Sequence, residues 1–150
     1  MKGISRIDVG ALILRLGLGL TLMFFGAQKM FGLFGGMGYM PTVDMFHTKM
    51  GIPTVFAHLA IFGEFCGGLG VLVGLLTPVA SFGIACTMAV ATFMSMKGPG
   101  VLAGVFQGAH GADPSKLFFS GSLCFAAISL LIIGPGKISL DAKLFRKSKR

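Results

Sequence analysis

Four long apolar runs divide this chain: Val9–Ala27, Val55–Leu76, Val79–Met96 and Leu117–Ile133. A helix of about 20 residues crosses a hydrocarbon core of about 30 Å. All four runs reach or approach that length, so the pattern predicts four membrane-spanning helices. Thr77-Pro78 puts a capping residue before a proline suited to a first helical turn, which predicts a tight hairpin between the second and third spans. Asp113-Pro114 repeats the device before the fourth span. Gly134-Pro135-Gly136 then stops that span. Between the first two spans, Val43, Phe46 and Met50 recur at helical spacing. They predict a short helix capped by Thr42, closed by Gly51 and Pro53, and lying in the membrane interface. Gly63 and Gly67, then Gly70 and Gly74, lie four apart and predict close helix packing. With no internal repeat or linker, the fold class expected over residues 1–150 is one all-α integral membrane domain. It is a four-helix bundle with an interfacial helix in the first outer loop.

Composition supports the membrane class. The chain is 54% apolar and only 12% charged, and its mean hydropathy is +0.86. Soluble domains carry about 25% charged residues. The net charge of +8 does not point to nucleic acid, because six of the thirteen basic residues lie in the last fourteen positions. Lys2 and Arg6 precede the first run, but Arg15 interrupts it, and a retained span is expected in place of a cleaved signal peptide. Lys2, Arg6, Lys137, Lys143, Arg146, Lys147, Lys149 and Arg150 share one side, against Lys29, Lys49, Lys97 and Lys116 on the other. This bias predicts that both termini are cytoplasmic. The C-terminal group Lys143, Arg146, Lys147, Lys149 and Arg150 suits contact with anionic lipid.

Glu64 is the residue with most chemical content. It lies in the middle of an otherwise uncharged span, where a carboxylate costs roughly 2.5–3.5 kcal/mol on insertion scales. Such a group needs a partner, a proton or a water-filled cavity. The other charge well inside an apolar run is Arg15. Counting from the ends of the runs places the two at similar depths, which predicts an intramembrane Arg15–Glu64 pair. Snorkelling of Arg15 to the headgroups is the competing reading. Glu64 has two readings as well, a packing element and a catalytic proton-exchanging group. Gln28, Lys29 and His58 mark an outer-face site, although Lys29 also suits a headgroup anchor and His58 an interfacial histidine. Cys66, Cys86 and Cys124 read as small apolar residues. No metal site is expected, and no haem, flavin or phosphate-binding fingerprint is found.

Taken in order, LILRLGLGLTLMFFGAQKMFG, GIPTVFAHLAIFGEFCGGLGVLVGLLTPVAS and IIGPGKISLDAKL resemble the DoxX family of small bacterial membrane proteins. Arg15, Glu64 and Asp141 fall within these matches. The resemblance implies a four-helix protein of the bacterial inner membrane. Some relatives are subunits of a thiosulfate:quinone oxidoreductase, others are linked to membrane redox complexes handling thiol stress, and the wider superfamily includes cargo and receptor-assembly factors. Two expectations follow. One is a redox-associated subunit that takes electrons from a membrane or periplasmic partner and presents a quinone-accessible cavity near Glu64. The other is a non-enzymatic assembly, scaffolding or cargo-binding protein. Either is compatible with a homo-oligomer. The chain departs from the family pattern at Pro78, where a basic residue is common, and at QGAHGADPSKLFF, where a histidine and a glutamate are common.

Overall fold

A computed structural model describes residues 4–97 and 115–146. Every regular element among them is helical. They are α1 (Arg6–Phe31), α2 (Tyr39–Met50), α3 (Thr54–Val73), α4 (Thr77–Met96), α5 (Ser115–Ile133) and α6 (Leu140–Arg146). A 3₁₀ turn, Leu33–Gly35, joins α1 to α2. Helices α1, α3, α4 and α5 are long and apolar enough to cross a membrane. The four-span all-α bundle expected from the sequence is therefore present.

The bundle is built from two tightly packed pairs, α1 with α3 and α4 with α5, joined through the α3–α4 hairpin. Its core is Leu18, Leu22, Val71, Ile84, Ala85, Met88, Ala127 and Leu130. Ile13, Phe82, Phe125 and Ile132 point outward. An apolar exterior around closed backbone hydrogen bonding is what a bilayer demands.

The α1–α3 contact fixes the register of the whole site. A Cβ on Gly26 would lie 2.7 Å from the Phe65 amide nitrogen, and one on Gly19 would lie 2.8 Å from the Leu72 Cβ. A Cβ on Gly68 would lie 2.9 Å from the Met23 nitrogen. The backbones touch along this line, and each step along α1 is a step backward along α3. The glycine spacing read from the sequence has a mixed outcome. Gly67 faces Ile84 of α4, while Gly74, at φ +73°, is the left-handed end of α3.

Two caps differ from expectation. Thr77 does not cap α4. Its hydroxyl is buried without a partner, and the Asp141 carboxylate instead accepts from the amides of Leu76 (2.7 Å) and Thr77 (2.8 Å). A carboxylate satisfies two donors at a helix N-terminus, where a hydroxyl would satisfy one. Likewise α2 begins three residues before Thr42, whose hydroxyl donates to the Gly38 carbonyl at 2.6 Å. Gly51 closes α2 in a left-handed conformation, and Gly134 (φ +82°) follows the end of α5, as the sequence predicts. Asp113-Pro114 lies outside the described residues.

Candidate functional site

Charged side chains collect at the two ends of the α1–α3 pair, and they do different things. At the end nearer the termini, Ser5 and Asp8 form a capping box that starts α1. Asp8 also accepts from the Lys137 amide at 2.9 Å, with the Lys137 ammonium 3.6 Å away. Seven residues further, Arg15 is almost wholly buried. Its guanidinium donates to four carbonyls: Val71 (2.9 Å), Leu72 (3.0 Å), Pro135 (3.2 Å) and Ile138 (2.6 Å).

The first two acceptors belong to the last turn of α3, where the helix dipole is negative and carbonyls lack the amides of a following turn, the Val71 carbonyl receiving in addition only the Gly74 amide at 3.2 Å. Arg15 thus caps the C-terminus of α3, while Asp141 caps the N-terminus of α4. The hairpin brings a negative helix end beside a positive one, and each receives the opposite charge. Asp141 also acts electrostatically on Arg15. This cluster ties the segment after α5 beneath the hairpin, and the four recorded bonds of the Arg15 guanidinium all go to backbone carbonyls.

Glu64 belongs to the other end. The α1–α3 register places Arg15 beside the α3–α4 turn and Glu64 beside Ala27 to Lys29. Some twelve residues of α1 separate the two levels, about 18 Å at 1.5 Å per residue. No arginine reaches that far, so the expected Arg15–Glu64 pair does not form. Glu64 is paired with Lys29. The Lys29 ammonium donates to Glu64 Oε1 at 2.6 Å and also contacts Oε2. Only 5% of the Glu64 side chain is exposed, against 29% for Lys29. Lys29 is therefore not a free headgroup anchor. Helix α1 runs past it to Phe31, which leaves it within the helix.

The segment after α1 folds back over this pair. The Gly38 amide donates to the Gln28 carbonyl at 3.3 Å, and the Gln28 side chain donates to the Phe34 carbonyl at 3.3 Å. A Cβ on Gly36 would overlap the Gln28 backbone, so only glycine allows this approach. Helix α2 then docks on α3 through Val43, Ala57 and Ile61, with Tyr39 and Phe46 packed against them. The Tyr39 hydroxyl and His58 Nδ1 are 2.7 Å apart, which explains His58 without a metal. Lys29 lies 5.9 Å from the centre of the Phe46 ring.

A recess of about 210 Å³ remains between the fold-back and α2. Gln28, Lys29, Met37, Thr42 and Met45 line it, with Gly35 and Gly36. Two of the expected outer-face residues, Gln28 and Lys29, thus share one recess, while His58 serves the α2–α3 contact. Among the described residues no group of three or more potential ligands could hold a metal. Cys66 and Cys86 are exposed and Cys124 is half-buried, none of them in a disulfide. Lys143 is exposed, and Lys147, Lys149, Arg150, His110 and Asp113 lie outside the described residues.

Sequence comparison agrees with these elements. The DoxX family profile matches residues 10–97, which include most of α1, all of α2 to α4, and Arg15, Lys29 and Glu64, but not Ser5, Asp8 or the segment after α5. The chain belongs to the DoxX family. It is similar to the inner membrane protein YqjF of Escherichia coli strain K12, with 32% identity over 142 residues. The alignment covers 93% of this chain and 95% of that protein. No solved structure matches. A multi-pass protein of the inner membrane accounts for the family, the relative and the four apolar helices together. In this DoxX-family protein the arginine and glutamate of the family-like motifs serve separate sites.

Proposed function

We propose that this protein is a quinone-linked, redox-associated subunit of a membrane complex, with the Lys29 recess as its quinone site. The observation that carries the reading is the division of Lys29 between two environments. Its ammonium grips a buried carboxylate while its exposed part lines the recess. About 210 Å³ accommodates a substituted six-membered ring, since a 150 Å³ cavity holds benzene. Lys29 would donate a hydrogen bond to a ring oxygen there, and the second N–H of the Gln28 amide would be a further donor.

A bound quinone supplies a two-electron, two-proton acceptor, with the electrons coming from a membrane or periplasmic redox partner. Lys29 would be the proton donor to the facing oxygen and would be reprotonated from water at the open side, while the Glu64 carboxylate would hold the amine in place. The second proton comes from water at the open side. Glu64 would thus act through Lys29 as its counter-ion, and Lys29 would be the group that touches the ligand.

The test is quinone retained by protein purified in mild detergent, together with partner-dependent quinone reduction in membranes at matched protein levels. Glu64→Gln keeps a hydrogen-bond acceptor for Lys29 but cannot ionise. It is expected to retain quinone and to lower turnover at least tenfold. Unchanged turnover removes the counter-ion role. A wild-type protein that retains no quinone overturns the site itself and leaves the scaffolding reading.

The same proposal sets an orientation. Lys29 faces the extracytoplasmic side, and the basic C-terminal residues Lys143, Arg146, Lys147, Lys149 and Arg150 meet anionic lipid on the cytoplasmic side. Reporter fusions after Phe34 should read extracytoplasmic, and fusions after Thr77 and Arg150 cytoplasmic. An extracytoplasmic signal from the C-terminal fusion contradicts the arrangement.

A further inference from the structure

A second opening lies on the far side of the bundle, in the seam between α4 and α5. It is a groove of about 240 Å³ lined by Ala89, Thr92, Phe93, Gly121, Cys124 and Phe125, with Met96 at its end. Its lining is almost wholly apolar. Gly121 forms its floor for no reason of backbone or packing. Its φ is ordinary, and an added Cβ would meet only Thr92 Cγ2, at 4.0 Å. A glycine inside a helix costs about 1 kcal/mol relative to alanine. The fold would accept a larger residue there, and the groove exists because none is present.

Charge marks one mouth of the groove. Lys97 follows the last turn of α4, exposed, with its ammonium 4.6 Å from the centre of the Phe93 ring that walls the groove. Lys116, also exposed, lies in the first turn of α5 at the same end. Glu64 is the one carboxylate within the four spanning helices beyond the first turn of α1, and it is committed to Lys29. Lys116 is the one charged residue within α4 and α5, and Lys97 follows α4 directly, so among the described residues of these two helices the mouth carries positive charge above an apolar slot that opens to the membrane. An acyl chain matches the slot, and a headgroup phosphate matches the ammonium. A zwitterionic lipid fills the slot equally well but gains less from Lys97.

We infer that the α4–α5 seam is a binding site for an anionic phospholipid, with an acyl chain beside Gly121 and the phosphate on Lys97. It is separate from the Lys29 recess and does not depend on the quinone reading. The test is native mass spectrometry of protein exchanged into detergent containing phosphatidylglycerol or phosphatidylcholine, which counts lipids kept per chain. Wild-type protein should retain phosphatidylglycerol in preference to phosphatidylcholine, by roughly fivefold for one lysine near the headgroups. Lys97→Gln should reduce the preference and Lys97→Gln with Lys116→Gln should abolish it, both leaving chain occupancy. Gly121→Leu should fill the groove and lose the bound lipid, and its melting temperature should not fall, because the site has room and leucine favours helix. Equal retention of the two lipids overturns the site. So does an unchanged count in Gly121→Leu, or a dimer disrupted by Gly121→Leu with lipid retention intact.

Discussion

Arg15→Leu is expected to be the most damaging single substitution in this protein. The guanidinium satisfies four carbonyls contributed by α3 and by the segment after α5. Hydrogen bonds to charged groups contribute roughly 1.5–3 kcal/mol each. Removal leaves buried acceptors without donors and takes away the positive charge that faces Asp141. These effects are not additive, and a loss of about 4 kcal/mol or more is expected. Arg15→Lys should recover less than half. An ammonium has three donors and no planar fork, so it cannot span acceptors on both segments. The readout is the melting temperature of fluorescently tagged protein in detergent, followed by size-exclusion chromatography. If Arg15 merely snorkelled to headgroups, Arg15→Lys would match wild type and Arg15→Leu would cost about 1 kcal/mol or less.

Much of this architecture is legible along the chain, and the reasons differ by element. The spans stand out because apolar runs of bilayer length leave few alternatives. The stop after α5 is legible because glycine accepts a left-handed end and proline cannot continue a helix. The start of α2 is not legible, since Gly38 offers no side-chain cap and Thr42, the residue with capping chemistry, sits one turn inside. Asp141 shows the same limit from the other direction. A carboxylate capping a helix 64 residues earlier leaves no local pattern. The family resemblance does mark Asp141, without saying what it does.

The charged residues were legible as a set and not as pairs. Arg15 and Glu64 stand out because both are expensive in lipid, and each does have partners, backbone carbonyls for Arg15 and the half-buried Lys29 for Glu64. Their pairing depends on register, which apolar composition does not specify. Run boundaries placed the outer end of α1 near Ala27, whereas the helix continues to Phe31 and brings Lys29 level with Glu64. Helix positions 26 and 65 meet because Gly26 lets the backbones touch. Nothing in hydropathy distinguishes that glycine from the others. Arg15 is matched by sequence to Glu64 and not to its actual partners because those are carbonyls, which every residue carries.

The Lys29–Glu64 pair carries the second large effect. Breaking a buried ion pair by removing one partner costs about 3–5 kcal/mol, because the remaining charge is left uncompensated. Replacing both with apolar residues is often neutral. Lys29→Met or Glu64→Leu alone should therefore reduce stability by about 3 kcal/mol or more, and the double variant should recover most of the loss. Under the proposed quinone reading, both single variants should also lose quinone retention, and so should the double variant even though it is folded.

The decisive measurement is a pair of double-mutant cycles on Glu64, one with Lys29 and one with Arg15, read as melting temperatures under the same conditions. Lys29 and Glu64 should show a coupling of about 2 kcal/mol or more, while Arg15 and Glu64, about 18 Å apart along the helix, should be additive within roughly 0.5 kcal/mol. Strong coupling of Glu64 to Arg15, with additive losses for Lys29, would contradict the account.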